Sequence, residues 1–347
     1  MTQKRRYAMK KKKLSIGLVG CGSVAVMHCN AICDAGQNFA ALCDIIPEKA
    51  RALAEKYAPS AKIYTDYGEM LKDESLDVIH ICTPHYIHAD MAIAALEAGK
   101  HVFLEKPMCT KIEDIDRMEA AEKASGKKIC VCFQNRFLPS FVKMQKLVKA
   151  FGGAKYARSC VTWRRNAPYY TESDWRGTWE KECGGVMINQ AIHNFDLMLS
   201  FFGEPDTAQA TVANHHLKGI IEVEDTCEAR LTYEDGRTAL FLATTAFGGD
   251  MANILDISCD QHKVMLYGDK LYVDGVQVDG IDDEIVTSLG KKCWGNGHIY
   301  IIRLFYESIL EDKAVPVSVA SASVAVKTLL RCYEAANAKE VLPKIKK

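Results

Sequence analysis

The 347-residue chain has no excess charge of either sign: Lys+Arg and Asp+Glu both total 44. A nucleic-acid binder normally carries a basic surplus, so that class of partner is disfavoured. None of the 14 cysteines forms a Cys-x-x-Cys pair, which removes the usual spacing of a structural zinc site, and no metal is expected. Many of these cysteines sit in apolar runs, such as Cys82 in VIHICTP and Cys130 and Cys132 in KICVCFQ. They read as buried thiols of a reducing cytoplasm. No stretch is long and apolar enough to span a membrane. Internal repeats and low-complexity linkers are also missing. What is present is ordinary for a globular protein, 48% hydrophobic and 25% charged, with length enough for two domains.

Lys10 to Lys13 precede LSIGLVGCGSVAVM, which imitates a signal peptide, and Leu18 to Cys21 look like a lipoprotein cleavage site. The same stretch is needed as the first strand of a nucleotide fold, and cleavage before Cys21 would destroy it. The expectation is a cytoplasmic protein whose residues 1–12 are a disordered extension, with Met9 as an alternative start.

From residue 14 the first half alternates strand and helix. Apolar runs at Leu14 to Val19, Phe39 to Cys43, Asp77 to Cys82, His101 to Leu104 and Lys128 to Phe133 are separated by helical patterns. That alternation predicts a doubly wound parallel sheet, a Rossmann domain over 13–134. Over 135–347, a helix near Pro139 to Ala150 is followed by strand-like runs, interrupted by one helix predicted from Val186 to Phe202. This predicts an α+β domain with a large, mostly antiparallel, open-faced sheet. The helices from His298 to Leu310 and from Ser321 to Ala338 are free to pack back on the first domain.

Gly20-Cys21-Gly22-Ser23-Val24-Ala25 is G-x-G-x-x-A between a strand and a helix. The first glycine permits a tight turn, and the second lets backbone approach a pyrophosphate. The helix start, at Ser23 and Val24, favours an anion. Asp44 closes the next strand about 20 residues on, where a carboxylate binds adenine-ribose hydroxyls. Neither Ile45 beside it nor Ile46 offers a cation for a 2′-phosphate, so NAD is expected ahead of NADP.

Two further motifs carry chemistry. Glu105-Lys106-Pro107 follows a strand end, where ligands bind in open parallel sheets. In Cys183-Gly184-Gly185-Val186-Met187-Ile188-Asn189-Gln190-Ala191-Ile192-His193, Asn189 and His193 are four apart and would share one helix face. With the stretch AIAALEAGKHVFLEKPM (Ala92 to Met108) and Phe133-Gln134-Asn135-Arg136, nearly the whole chain resembles the glucose–fructose oxidoreductase and inositol dehydrogenase (Gfo/Idh/MocA) family.

The resemblance implies that Gly20, Gly22 and Asp44 hold the cofactor, with Thr83, Pro84, His88 and Gln134 lining its cleft and Glu105 and Lys106 beside the nicotinamide. It makes His193 the acid/base residue and Lys106 the stabiliser of the reacting oxygen, with Asn189 beside them as the third catalytic residue. It points to Arg136, Trp163, Arg164, Tyr170, Trp175, Arg176 and Asn189 for the substrate, a small sugar or polyol. It also implies a homodimer or homotetramer. Two positions depart from the family pattern: Asn189 stands where an aspartate is common, and Cys183 opens the glycine run. Two other functions fit the same scaffold. One is a glycosidase-like enzyme that retains and recycles NAD; the other is a non-catalytic nucleotide-binding regulator.

Overall fold

A computed structural model describes residues 13–281 and 296–342. The extension expected over 1–12 lies outside the described residues. Six strands, Ser15–Val19 (β1), Asn38–Cys43 (β2), Lys62–Tyr64 (β3), Val78–Ile81 (β4), His101–Leu104 (β5) and Ile129–Val131 (β6), form one parallel sheet in the order β3-β2-β1-β4-β5-β6. Helices cover both faces, so β4 and β6 are buried along their whole length. Pro47 sits at the start of the helix Pro47–Tyr57, where its fixed φ suits the first turn. Gly126, at φ 64°, ends the helix Glu113–Ser125 in the left-handed conformation.

Register explains why the motifs converge. Val19 pairs with both Cys43 and Ile81, Ile81 with Leu104, and Leu104 with Val131. Each of these residues ends its strand at one edge. The next residues, Gly20, Asp44, Cys82-Thr83, Glu105-Lys106 and Cys132 to Gln134, therefore emerge side by side. The sheet order reverses direction between β1 and β4, which is the crevice where open α/β sheets bind ligands.

The second sheet has eight strands: Tyr156–Thr162 (β7), Thr207–Ala213 (β8), Thr226–Thr232 (β9), Thr238–Thr244 (β10), Ile254–Ser258 (β11), Lys263–Tyr267 (β12), Lys270–Val273 (β13) and Val276–Gln277 (β14). Their order is β14-β13-β12-β11-β7-β10-β9-β8, antiparallel throughout except for the β7–β10 pair. Ala157, Val161, Ala239, Phe241, Leu255 and Ile257 are buried on one face, and Tyr156, Leu240 and Tyr267 are exposed on the other. The helix Ile192–Phe202 packs on the buried face, against β7 and β11.

The single helix predicted from Val186 to Phe202 is two. Val186–Asn189 ends, Gln190 and Ala191 intervene, and Ile192–Phe202 follows. Ala191 N–H reaches back to Val186 O rather than continuing the ladder. The break falls at Asn189, whose carbonyl has a tertiary partner, described below. Three short strands, β3, β13 and β14, were not expected.

The C-terminal helices return to the first sheet. Gly297–Leu310 packs on the helix Ala25–Asp34, and Val131 N–H donates to Val317 O. Arg136 fixes this return. Its Nε and Nη2 pair with the two carboxylate oxygens of Asp196 at 2.8 and 2.5 Å, and Nη1 donates to Ser321 Oγ. Arg136 is thus held between helices instead of facing a substrate. Asp196 is 1% exposed, and removing one partner of such a pair strands a buried charge. Asp196→Ala is expected to cost about 3–5 kcal/mol in urea unfolding; a loss below about 1 kcal/mol would show that the pair is not a structural tie.

Candidate active site

At the β1 turn, Gly20 has φ +86°, and a Cβ there would lie 2.7 Å from the Cys82 carbonyl carbon. Only glycine permits both the conformation and the contact. A Cβ on Gly22 would meet nothing within 4 Å, so its backbone is open to a ligand. Ser23 is exposed and Val24 half-buried, and the helix they open has no side-chain cap. Its first N–H groups therefore suit a phosphate. Asp44 accepts from Cys21 N–H at 2.7 Å and Ile46 N–H at 2.8 Å, so the carboxylate is fixed at the rim of this turn. Ile45 beside it is 87% exposed and offers an apolar surface for a base. These features fit a dinucleotide.

Thr83 and Pro84 lie half-buried at the end of β4. His88 is fully buried and does not face the cleft directly. Its Nε2 binds Thr83 O at 2.8 Å and its Nδ1 binds Pro107 O at 2.7 Å. It clamps the loop after β4 to the cis Lys106–Pro107 turn after β5.

Glu105 also turns inward, where a chain of buried groups meets it. His28 Nε2 lies 2.9 Å from Glu105 Oε1, His28 Nδ1 is 2.9 Å from His80 Nδ1, and His80 Nε2 is 2.8 Å from Tyr306 Oη. Burial alone would raise the Glu105 carboxyl, but His28 and His298 hold it well below the usual carboxylate range. An ionised carboxylate only accepts, so His28 Nε2 carries a proton and its Nδ1 accepts. His80 Nδ1 must then donate, and its Nε2 accepts the Tyr306 hydroxyl proton. Every proton is assigned in one direction, with both imidazoles neutral. Burial lowers both histidines and raises Tyr306, as that assignment requires. Potential ligand atoms of His28, Glu105, Cys132 and His298 lie within 4.8 Å of one another, but the chain satisfies His28 and Glu105 without a cation.

Lys106 points the other way, across to the second sheet's helices. Its ammonium donates to Asn189 O at 3.0 Å. In an unbroken helix that carbonyl would accept from His193 N–H; here the lysine takes it, at the break. Burial lowers the Lys106 pKa while the Glu105 charge opposes that shift. His193 is half-buried one turn on, with Nε2 3.5 Å from Gln134 Nε2 and a buried Nδ1 that has no partner among the described residues. Burial and the Lys106 charge push its pKa down to about 3. The ring is therefore neutral at physiological pH and able to take a proton.

The segment between β7 and this helix forms the wall. Trp175 packs edge-on to His85 at 4.7 Å, and the Arg176 guanidinium lies over Tyr169 at 4.2 Å and Trp175 at 5.3 Å. Arg165 lies over Trp163 and Tyr169. Tyr169 Oη accepts from Gln190 Nε2 at 3.1 Å and Asn189 Nδ2 at 3.4 Å. Tyr169 and Arg165 thus join the cluster, where Tyr170 and Arg164 were expected. Tyr170 is 3% exposed in a separate core with Leu217, Ile221 and Val223. Arg164 is exposed and bound to Asn166 Oδ1. Trp163 is held by Met251 O. One further residue was missed: Glu182 is fully buried, with one oxygen accepting Gly177 N–H and the other accepting the Asn189 side-chain amide.

The first sheet's residues 14–133 match the family model described as "Oxidoreductase family, NAD-binding Rossmann fold", and residues 141–271 match the GFO/IDH/MocA C-terminal domain. The chain belongs to the Gfo/Idh/MocA family. Its first domain is an NAD-binding Rossmann domain. Among curated relatives, an inositol 2-dehydrogenase of Salmonella typhimurium is 34% identical over 138 residues. That alignment takes in 39% of this chain and 41% of the relative, so the chain spans about two fifths of that relative's length. The WlbA dehydrogenase from Bordetella pertussis, solved with NADH and UDP-GlcNAcA, is 26% identical with TM-score 0.82, covering 97% of this chain and 100% of that one. A levoglucosan dehydrogenase solved with NADH and levoglucosan shares the fold, with TM-score 0.83 at 22% identity over 94% of this chain and 98% of that one.

Two substitutions probe the two buried constraints of this Gfo/Idh/MocA protein. Gly20→Ala places a Cβ against backbone and is expected to weaken NAD binding at least about ten-fold by calorimetry; unchanged affinity would remove the turn from the cofactor site. Tyr306→Phe leaves His80 Nε2 without its donor and is expected to cost about 1–3 kcal/mol of stability, whereas no loss would contradict the proton assignment.

Proposed function

We propose that this protein is an NAD-dependent dehydrogenase that acts on a secondary hydroxyl of a sugar, glycoside or polyol. The observation that carries this reading is the meeting of a neutral His193 imidazole and the Lys106 ammonium across the two domains, at the strand ends where the dinucleotide features lie. A relative named inositol 2-dehydrogenase, and the WlbA dehydrogenase solved with UDP-GlcNAcA, support the substrate class.

His193 takes the hydroxyl proton; Gln134 orients its ring from one side. Lys106, already a donor aimed across the cleft, donates to the same oxygen and stabilises charge growing on it. The nicotinamide, when bound, accepts the hydride from the carbon. Trp175 and Tyr169 give the sugar ring apolar faces, and Arg176, laid flat on both, supplies a cation beside them. Asp44 favours NAD over NADP by accepting from ribose hydroxyls. Self-association through the second sheet's open face, with Tyr156, Leu240 and Tyr267 exposed on it, belongs to the same proposal.

His193→Ala is expected to lower the single-turnover rate of NAD reduction at least about a hundred-fold, with NAD affinity nearly unchanged. Retained turnover would dismiss His193 as the base. In wild type, kcat/KM for oxidation is expected to show no acid-side loss centred near the ordinary histidine value of 6.5, because His193 stays unprotonated there. It should fall on the alkaline side below the ordinary lysine value of 10.5, as Lys106 loses its proton. An acid limb at 6.5 that disappears in His193→Ala would contradict the depressed histidine.

A further inference from the structure

The family's aspartate position is filled here by Asn189, an amide with two unlike ends. Which end faces the substrate decides whether the site offers an acceptor or a donor. The fold answers this through a residue outside the motif. Glu182 lies seven residues upstream and is fully buried. Its Oε2 accepts Gly177 N–H, a backbone donor whose polarity cannot reverse. Its Oε1 accepts from Asn189 Nδ2, which also reaches Tyr169 Oη at 3.4 Å. Asn189 Oδ1 accepts no hydrogen bond among the described residues, and the side chain is half-buried at the cleft. The Asn189 main-chain oxygen is meanwhile held by Lys106, which fixes the backbone from which the amide projects.

We propose that Glu182 is a positioning residue that fixes the polarity of Asn189, turning its Oδ1 toward the cleft as an acceptor for a second substrate hydroxyl. This rests on the proposed dehydrogenase reading. It narrows the substrate to one presenting a donor, a hydroxyl or amide N–H, next to the oxidised carbon. A carboxylate at that place would face Oδ1 and be rejected. The Glu182 carboxyl sits behind the place an aspartate would take. Burial raises its pKa, and Gly177 N–H, the Asn189 amide and the Arg176 guanidinium oppose the rise, leaving it at about 8; above that pH it is ionised and only accepts. The Glu182 main-chain oxygen also accepts from His85 Nδ1, which ties this position to the loop after β4.

Glu182→Gln separates positioning from packing. Gly177 N–H still needs an acceptor, so the introduced amide must turn its oxygen there and its NH₂ toward Asn189. Asn189 then reverses to accept, and Nδ2 faces the cleft. With a hydroxylated substrate found for wild type and assayed at about pH 9, where Glu182 is ionised, Glu182→Gln is expected to raise KM about ten-fold or more, for loss of one acceptor and gain of a repelling donor. The kcat should stay within about three-fold. Adding Asn189→Asp should restore KM, because a carboxylate accepts from the introduced amide through one oxygen and from substrate through the other. Asn189→Asp alone should lower Tm, since it sets two carboxylates in contact, and Glu182→Gln should relieve that loss. Unchanged KM in Glu182→Gln, or no rescue in the double variant, would overturn the proposal. Should wild type turn over no polyol, the dehydrogenase reading falls. The Tm cycle still decides the pairing: coupling between the two sites retains it, and additive changes overturn it.

Discussion

A half-buried ammonium facing a cleft needs an acceptor, and in this protein Lys106 finds Asn189 O at 3.0 Å. Much of the site's geometry follows from that one hydrogen bond. It joins the turn after β5 in the Rossmann sheet to the helices on the second sheet. It takes a carbonyl that a continuous helix would have used, at the point where Val186–Asn189 and Ile192–Phe202 part. The break sets the direction in which His193 leaves its helix. Burial, and then the cation's field, lower the His193 pKa. In the proposed reaction the donor and the base are thus brought together by the same contact, in the way that neighbouring groups push each other's protonation apart.

Beneath the cation lies its electrostatic counterweight. Glu105 and Lys106 are adjacent in sequence and point to opposite sides of the β5 turn. The carboxylate is held ionised by His28, which is held by His80, which is held by Tyr306. Such a network is stable only when every member is satisfied, and a single direction of donation satisfies all four groups. The chain runs from the first helix through β4 to the C-terminal helix Gly297–Leu310. Three distant segments of sequence therefore set the charge on one side of the cleft.

The parts legible in the sequence are those whose signals are local. Gly20, Gly22 and Asp44 are a turn and a strand end, and their spacing carries the geometry. Lys106 follows a strand that periodicity locates. The parts that were not legible depend on contacts across the chain. Nothing near Asn189 in sequence announces that a lysine 83 residues away claims its carbonyl. Arg136 looked available until Asp196 and Ser321 were placed beside it. Tyr169 and Tyr170 are neighbours of equal chemistry; the short helix Ala167–Thr171 turns one to the cluster and buries the other. Glu182 had a faint signal, a carboxylate just before a glycine run, but its burial is what gives it meaning. His80 had a stronger one, as a polar residue inside the apolar strand VIHI, which calls for buried partners.

The central claim is that Lys106 and His193 move a proton so that a polyol carbon can give hydride to NAD. Reduced-nicotinamide absorbance, followed as the pure protein and excess NAD meet sugars, inositols and glycosides in turn, tests it most directly. The account predicts a steady rise with one class of hydroxylated substrate. A flat trace with every one of them, while NAD binds and glycosides release their aglycone, would contradict it in favour of chemistry that recycles the cofactor in place.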